Sequence, residues 1–180
     1  MKRFFTTAFV TVVISLSTLF GQNNFHDFPV KDIDGNDYAM SQLKGKKVML
    51  VNVASKCGLT PQYENLEKLY KEFKSEGFVI VAFPANNFLK QEPGTDAEIK
   101  EFCSLEYGVT FPMMSKVSVK GDDIHAIYEW ATQKEKNGSI DSKVKWNFQK
   151  YLIDEEGKLV KQLNPGTKPY DKEIVDWIKS

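Results

Sequence analysis

Two runs of nearly unbroken apolar character, "KKVMLVNVAS" and "FVIVAFP", begin 32 residues apart in the first half of the chain. They are rich in Val and lack polar/apolar alternation, the pattern of strands covered on both faces in a parallel sheet. Between them the apolar positions change period: Leu66, Leu69, Tyr70 and Phe73 recur at helical spacing. Thr60 and Pro61 are placed as N-cap and first helical residue, with Gly77 at the close. Strand, helix and strand with a short return predict a parallel βαβ unit.

Upstream, "FHDFPVKDIDGNDYAMSQLKGK" carries two turn signals, Asp34-Gly35 and Lys44-Gly45, and predicts a short hairpin. Downstream, "ANNFLKQEPG" is a loop by composition. Thr95 and Glu98 have the spacing of a capping box, opening a helix through Ile99, Phe102 and Cys103 towards Gly108. "DDIHAIYEWATQ" predicts a further helix capped by Asp122 or Asp123, and "KEKNGSIDSK" a polar loop. "VKWNFQKYLID", the turn "EEG" and "KLVKQLN" predict an antiparallel hairpin, followed by the amphipathic helix "YDKEIVDWIK". The sum is a single α/β domain over residues 22–180: a central mixed sheet flanked by helices, with an N-terminal β-hairpin extension. Trp130, Trp177 and His125 fall where packing or capping accounts for them. A chain of 180 residues buries a core large enough to stand without a disulfide.

Residues 1–21 break the pattern. Lys2 and Arg3 precede an apolar stretch without acids, then small and polar residues, the layout of a secretory signal cut near Gly21. The run is short and diluted by Thr and Ser, which favours export over an uncleaved membrane anchor. Removing it takes away two basic residues and no acid from a balance of 24 against 24, leaving 22 basic against 24 acidic. No basic stripe is present, which disfavours a nucleic-acid partner.

Chemistry centres on the two cysteines. Cys57 follows the first buried strand and precedes a helix, beside Lys56; a helix N-terminus and a neighbouring ammonium favour thiolate. The flanking Ser55, Lys56 and Gly58 argue against an apolar burial of its side chain. Ionisation alone is not enough, because a thiol of pKa about 8.5 is already roughly 3% ionised at pH 7. Cleaving a peroxide O–O bond also needs neutral donors fixed beside the sulfur to meet the charge on the departing oxygen. Gln91, Trp146 and Asn147 carry such donors, an amide or an indole N–H. Taken singly, a loop Gln is ordinarily solvated and a Trp ordinarily core. His26 and His125 are isolated, so no metal-ligand cluster is expected.

"VNVASKCGLTPQY", "FPANNFLKQEPG" and "VKWNFQKYLID" closely resemble the three signature blocks of the glutathione peroxidase family, in order and across nearly the whole of residues 22–180. The resemblance implies a thioredoxin-like fold and a catalytic tetrad of Cys57 as peroxidatic residue with Gln91, Trp146 and Asn147. It also implies reduction of hydrogen peroxide and organic or lipid hydroperoxides, with no bound cofactor and electrons from an external thiol. Many animal members carry selenocysteine where this chain has Cys57; Ala85 and Asn87 replace a common cysteine and glutamine outside the tetrad. The short loop before Val144 lacks the segment resembling an assembly loop, so a monomer is expected. "EIKEFCSLEYG" resembles the cysteine-containing branch, in which Cys103 would resolve a Cys57 sulfenic acid to a disulfide that a thioredoxin-like reductant, or glutathione, reopens. A disulfide needs Cα atoms within about 7 Å, so the helix bearing Cys103 is expected to unwind on oxidation.

Two other readings compete. An exported thioredoxin-fold binding module with a structural Cys57–Cys103 disulfide explains the even cysteine count but not the donors. A thiol-disulfide oxidoreductase ordinarily uses Cys-x-x-Cys, whereas Cys57 is followed by Gly58, Leu59 and Thr60.

Overall fold

The computed structural model describes residues 24–180, so the segment read as a secretory signal lies outside the described residues. Among the described residues no helix is long and apolar enough to cross a membrane. The two apolar runs form β3 (Lys47–Val53) and β4 (Phe78–Pro84), joined by α1 (Gln62–Phe73). They pair in parallel from Lys47 with Phe78 to Val53 with Pro84. β5 (Lys150–Ile153) lies antiparallel on the other side of β3, and β6 (Leu159–Leu163) antiparallel beyond it. The sheet order is therefore β4-β3-β5-β6, and it is mixed as expected. The N-terminal extension is the antiparallel pair β1 (Pro29–Lys31) and β2 (Asp37–Ala39).

Alternate residues of β3 feed two apolar layers, which is why its sequence shows no polar face. Val48 and Leu50 pack on the side holding α3 (Ala126–Thr132), with Tyr128 and Trp130, and the extension, with Phe25 and Val30. Met49, Val51 and Val53 pack against Leu66 and Leu69 of α1, Ile99 and Cys103 of α2 (Asp96–Tyr107), and Ile174 and Ile178 of α5 (Lys172–Lys179). Burying a Val or Leu side chain in this way is worth about 1.5–3 kcal/mol each. Helices thus cover both faces of the sheet.

Local expectations hold in α2 and fail at several other places. The Thr95 hydroxyl accepts from the Glu98 N–H while the Glu98 carboxylate accepts from the Thr95 N–H, a complete capping box. At the far end Gly108 takes φ 58°, the left-handed cap that glycine adopts without strain. Helix α3, however, is capped by neither Asp122 nor Asp123. His125 is its N-cap, accepting from Ile127 N through Nδ1, and the Asp123 carboxylate instead accepts from Ser118 Oγ. The polar loop after it contains a single turn, α4 (Lys134–Asn137), organised by the buried Asn137 amide bonding to Trp130 and Ile140. Residues 144–149, expected to belong to a strand, are irregular; β5 begins only at Lys150.

The first described residues are anchored to the β5–β6 turn. Phe25 N donates to Gly157 O, and the Asn24 amide donates to Glu156 O at 2.6 Å. Gly157 has φ +80°, and a Cβ there would collide with Asn24 Oδ1 and the His26 ring, so only glycine lets the two segments meet.

Helix α1 is also clamped to the segment that follows α2. The buried Glu67 accepts from Thr110 N at 2.8 Å and Thr110 Oγ1 at 2.6 Å, and pairs with the half-exposed Lys71 at 3.1 Å. Glu67→Ala should lower stability in urea unfolding by about 2–3 kcal/mol, because it strands the Thr110 donors. Lys71→Ala should cost under about 1 kcal/mol. Equal losses would locate the energy in the ion pair rather than in the buried bonds.

Candidate active site

Parallel pairing makes β3 and β4 end at the same height. The loop carrying Cys57 and the loop carrying Gln91 therefore emerge together at one end of the sheet. Their backbones meet there: Lys56 N donates to Gln91 O at 3.0 Å, and Ala85 N to Val53 O at 3.0 Å. The Cys57 loop closes on Thr60, which does not serve as the helix cap expected of it. Its hydroxyl accepts from Cys57 N at 2.9 Å and donates to Ala54 O at 2.8 Å, folding residues 54–60 into a tight turn before α1 starts at Gln62.

That turn also overturns the expectation that Cys57 avoids an apolar setting. Cys57 is only 8% exposed and joins the layer containing Tyr63, Leu66 and Phe148. The polar flanks do point outward, with Lys56 and Gly58 exposed. The Thr60 bonds turn the sulfur the other way. Leu59 N donates to Cys57 Sγ at 3.4 Å. A donor of this kind gains strength as its acceptor takes on charge.

The Trp146–Asn147 pair arrives from the far side of β3, held by a residue that no sequence pattern singles out. Asn52, the one polar side chain within β3's buried core, donates through Nδ2 to Trp146 O at 3.2 Å and accepts from Gln149 N at 3.2 Å. Its backbone O accepts from Phe148 N at 2.6 Å. Phe148 sits at φ 66°, a left-handed conformation rare for an aromatic residue, and that kink interrupts the strand expected here. Asn147 is fully buried, and its Nδ2 donates to Gln91 Oε1 at 2.9 Å. With its oxygen engaged, the Gln91 side chain has only its NH2 donors left to offer. Trp146 is half-buried, its ring 5.2 Å from Phe88.

So Cys57, Gln91 and Asn147 gather at one end of the sheet, with Trp146 adjoining Asn147. Cys103 sits on α2, in the same apolar layer as Cys57. It is 2% exposed, and burial pushes its thiol up to about 11. Both cysteines are free thiols, and α2 is intact around Cys103. The Tyr63 hydroxyl lies near enough to perturb the Cys103 thiol, without making a well-formed hydrogen bond to it. Asn87 is structural: its amide joins Ser118 and Val119.

A second residue of this kind is Lys150, wholly buried at the start of β5. Its Nζ donates to Phe148 O at 2.7 Å and to Pro165 O at 3.2 Å, while Gln62 Nε2 donates to the same Pro165 oxygen at 2.9 Å. The kinked segment is thereby tied to the start of α1 and the loop after β6. Burial pushes the Lys150 ammonium down to about 7. A basic group with a lowered folded pKa holds fewer protons folded than unfolded between that value and the ordinary lysine range. Its contribution to stability therefore rises with pH across this window and is least favourable below about pH 7.

The family model for glutathione peroxidase matches residues 25–132. Glutathione peroxidase-like peroxiredoxin 2 of Saccharomyces cerevisiae is 50% identical over 154 residues, 84% of this chain and 94% of the yeast protein. Among solved structures, the apo form of Trgpx matches with a TM-score of 0.68 at 41% identity, over 88% of this chain and 97% of that one. A thiol:disulfide interchange protein of the thioredoxin family from Chlorobium tepidum matches with a TM-score of 0.61 over 87% of this chain and 93% of that one. At 19% identity it establishes the thioredoxin-like fold alone.

Two outcomes test the site's framework. Thr60→Val keeps the side-chain shape but removes both bonds, so a bulky alkylating reagent should reach Cys57 about tenfold faster by peptide mapping. Unchanged labelling would mean that Thr60 does not control access to the sulfur. Lys150→Met should abolish part of the gain in thermal stability between pH 7 and 10, measured against the unmodified chain; parallel curves would show that Lys150 is not the buried titrating group.

Proposed function

We propose, for a chain that belongs to the glutathione peroxidase family and on that ground is a thiol peroxidase, a catalytic cycle run through two cysteines. Cys57 attacks the terminal oxygen of a hydroperoxide and becomes a sulfenic acid, releasing water or an alcohol. Gln91, Trp146 and Asn147 supply neutral donors to the departing oxygen as its charge develops. The observation that most supports this reading is the Asn147–Gln91 bond beside the Cys57 loop, because it commits the Gln91 amide to donating. Neutral donors suit this chemistry because they meet negative charge without surrendering a proton to the thiolate.

Cys103 then condenses with the sulfenic acid, and a thioredoxin-like dithiol, with glutathione as the competing donor, reopens the disulfide by exchange. Sulfur carries all the electrons, so the cycle calls for no resident cofactor. The substrates are hydrogen peroxide and organic or lipid hydroperoxides. Helix α2 opens for the condensation, starting from its left-handed cap at Gly108. The protein works as a monomer, exported by residues 1–21. The competing reading, an exported binding module stapled by a Cys57–Cys103 bond, is disfavoured by the cost of burying Asn147 Oδ1 without a hydrogen-bond partner for no chemical use.

A coupled peroxide-reduction assay with thioredoxin or glutathione as reductant tests the cycle. Cys57→Ser should abolish turnover, and full activity in that variant would sink the assignment. Cys103→Ser should leave one round of peroxide reduction intact and cut thioredoxin-driven turnover at least about tenfold. Lost stability with unchanged turnover would favour the staple instead.

A further inference from the structure

Among the described residues Lys150 is the only buried lysine, with 0% of its surface exposed. It forms no ion pair there. A buried ammonium without a counter-ion is costly, and an apolar side chain of similar shape is often as stable or more so. Stability therefore gives no reason for a lysine here, and the reason lies in what its hydrogen bonds hold.

Those bonds converge on one residue of the donor segment. Lys150 Nζ donates to Phe148 O at 2.7 Å, and Phe148 N donates to Asn52 O at 2.6 Å. Both backbone polar groups of the residue at φ 66° are thereby held. A left-handed aromatic residue is strained, and it persists only where its surroundings over-determine it. The alternating pattern of residues 144–149 favours extended backbone, which is where a released Phe148 would go.

The kink aims the residues just before it. Asn147 donates to Gln91 Oε1 at 2.9 Å and leaves its own Oδ1 without a partner, so its direction depends on the backbone beneath it. Trp146 precedes it, with its carbonyl accepting from Asn52 Nδ2 at 3.2 Å. Extended backbone sends successive side chains to opposite faces, so relaxation at Phe148 would turn this pair away from its present aim. The second Lys150 bond reaches Pro165 O at 3.2 Å, the oxygen that also accepts from Gln62 Nε2 at the start of α1. One residue further along α1, the Tyr63 ring meets the Phe148 ring edge-on at 5.3 Å. The ammonium thus joins the donor segment to the helix that follows Cys57.

We propose that Lys150 is a positioning residue of the peroxide step: by holding Phe148 left-handed it keeps Trp146 and Asn147 aimed at the oxygen departing from Cys57. The proposal rests on the reading of Gln91, Trp146 and Asn147 as donors to that oxygen. Both Lys150 bonds go to backbone carbonyls, so it acts through Phe148 and takes no part in the bond changes at sulfur.

The test measures Cys57 in the full, pre-reduced chain by quenched-flow mass spectrometry in a single turnover. Lys150→Met keeps the length and apolar stem of the side chain and removes the donor. Oxidation of Cys57 by hydrogen peroxide should slow about 100-fold, the scale of losing one fixed donor. Peroxyacetic acid should lose less, because its carboxylate leaving group needs less help. Alkylation of Cys57 by iodoacetamide should keep its rate, because iodide departs without a hydrogen-bond donor. Lys150→Gln, with a donor on an arm one atom shorter, should recover part of the peroxide rate. Gln62→Met, which removes the neighbouring bond to Pro165 and leaves Phe148 held, should cost far less than Lys150→Met.

A hydrogen peroxide rate in Lys150→Met equal to that of the unmodified chain would overturn the positioning role. So would equal losses in oxidation and alkylation, which mark a general loosening of the site, or a loss in Gln62→Met as large as in Lys150→Met. If the methionine variant does not fold, Lys150→Gln decides alone: a loss confined to oxidation supports the role and parallel losses overturn it. Each of these results leaves Cys57 as the peroxidatic residue. Failure of Cys57 to react with peroxide in the unmodified chain would overturn both readings.

Discussion

Seven consecutive residues of β3 lie parallel to seven of β4, and the register leaves both strands to end together at Val53 and Pro84. Parallel strands cannot be joined by a tight turn, so the chain must leave this end, cross the sheet as a helix and come back. The two loops that leave it are short of partners for their backbone groups and satisfy each other, Lys56 to Gln91 and Ala85 to Val53. Gln91 stands beside Cys57 for that reason, although 34 positions separate them in the chain. The third contributor, the segment holding Trp146 and Asn147, is brought in by β3 itself through Asn52. The Cys57 thiol, an amide pair and an indole are thus held by main-chain pairing that the apolar layers protect from water.

Much of this is legible in the chain because periodicity reports burial directly. The Val-rich runs, the helical spacing of Leu66 to Phe73 and the Thr95 and Glu98 pair each depend on neighbours close in sequence, and each element forms where expected. Residues 144–149 look like strand because "VKWNFQK" alternates in the manner of one. The left-handed Phe148 that breaks it is enforced by Asn52 and Lys150, whose hydrogen bonds no local pattern announces. The apolar setting of Cys57 is hidden for a related reason: its neighbours in sequence are exposed, yet side-chain direction is fixed by Thr60. Asp123 looks like a cap by residue type, but Ser118 claims its carboxylate and His125 stands closer to the helix. The tetrad itself is selected by resemblance; Gln91 and Trp146 carry no signal of their own. Asn52 does leave a faint one, as a polar residue in a stretch that is otherwise buried.

The polar groups in the interior share a design. Asn52, Glu92, Asn147, Gln149 and Lys150 are all buried, and four of the five engage the kinked segment or the loops beside it. Burying so many polar groups near one end of a sheet costs stability unless each is paired, and paired groups in a medium of low dielectric hold geometry stiffly. That stiffness suits donors that must already point correctly when a peroxide bond breaks. It contrasts with α2, whose cysteine sits among apolar side chains with few polar ties. The Cys57 end of the sheet is thus held by polar ties, whereas α2 is held to the sheet mainly by apolar packing.

The anchoring of Asn24 and Phe25 to the β5–β6 turn has a geometric consequence. β5 runs from Lys150, level with Val51, to Ile153, level with Val48, so the turn beyond it lies at the pole of the sheet opposite Cys57. Asn24, the first described residue, therefore joins the domain at that pole, and the missing Cβ of Gly157 is what lets the two segments share the space. The two ends of the sheet are thereby divided in use: one seats the start of the described chain, and the other gathers Cys57, Gln91 and Asn147.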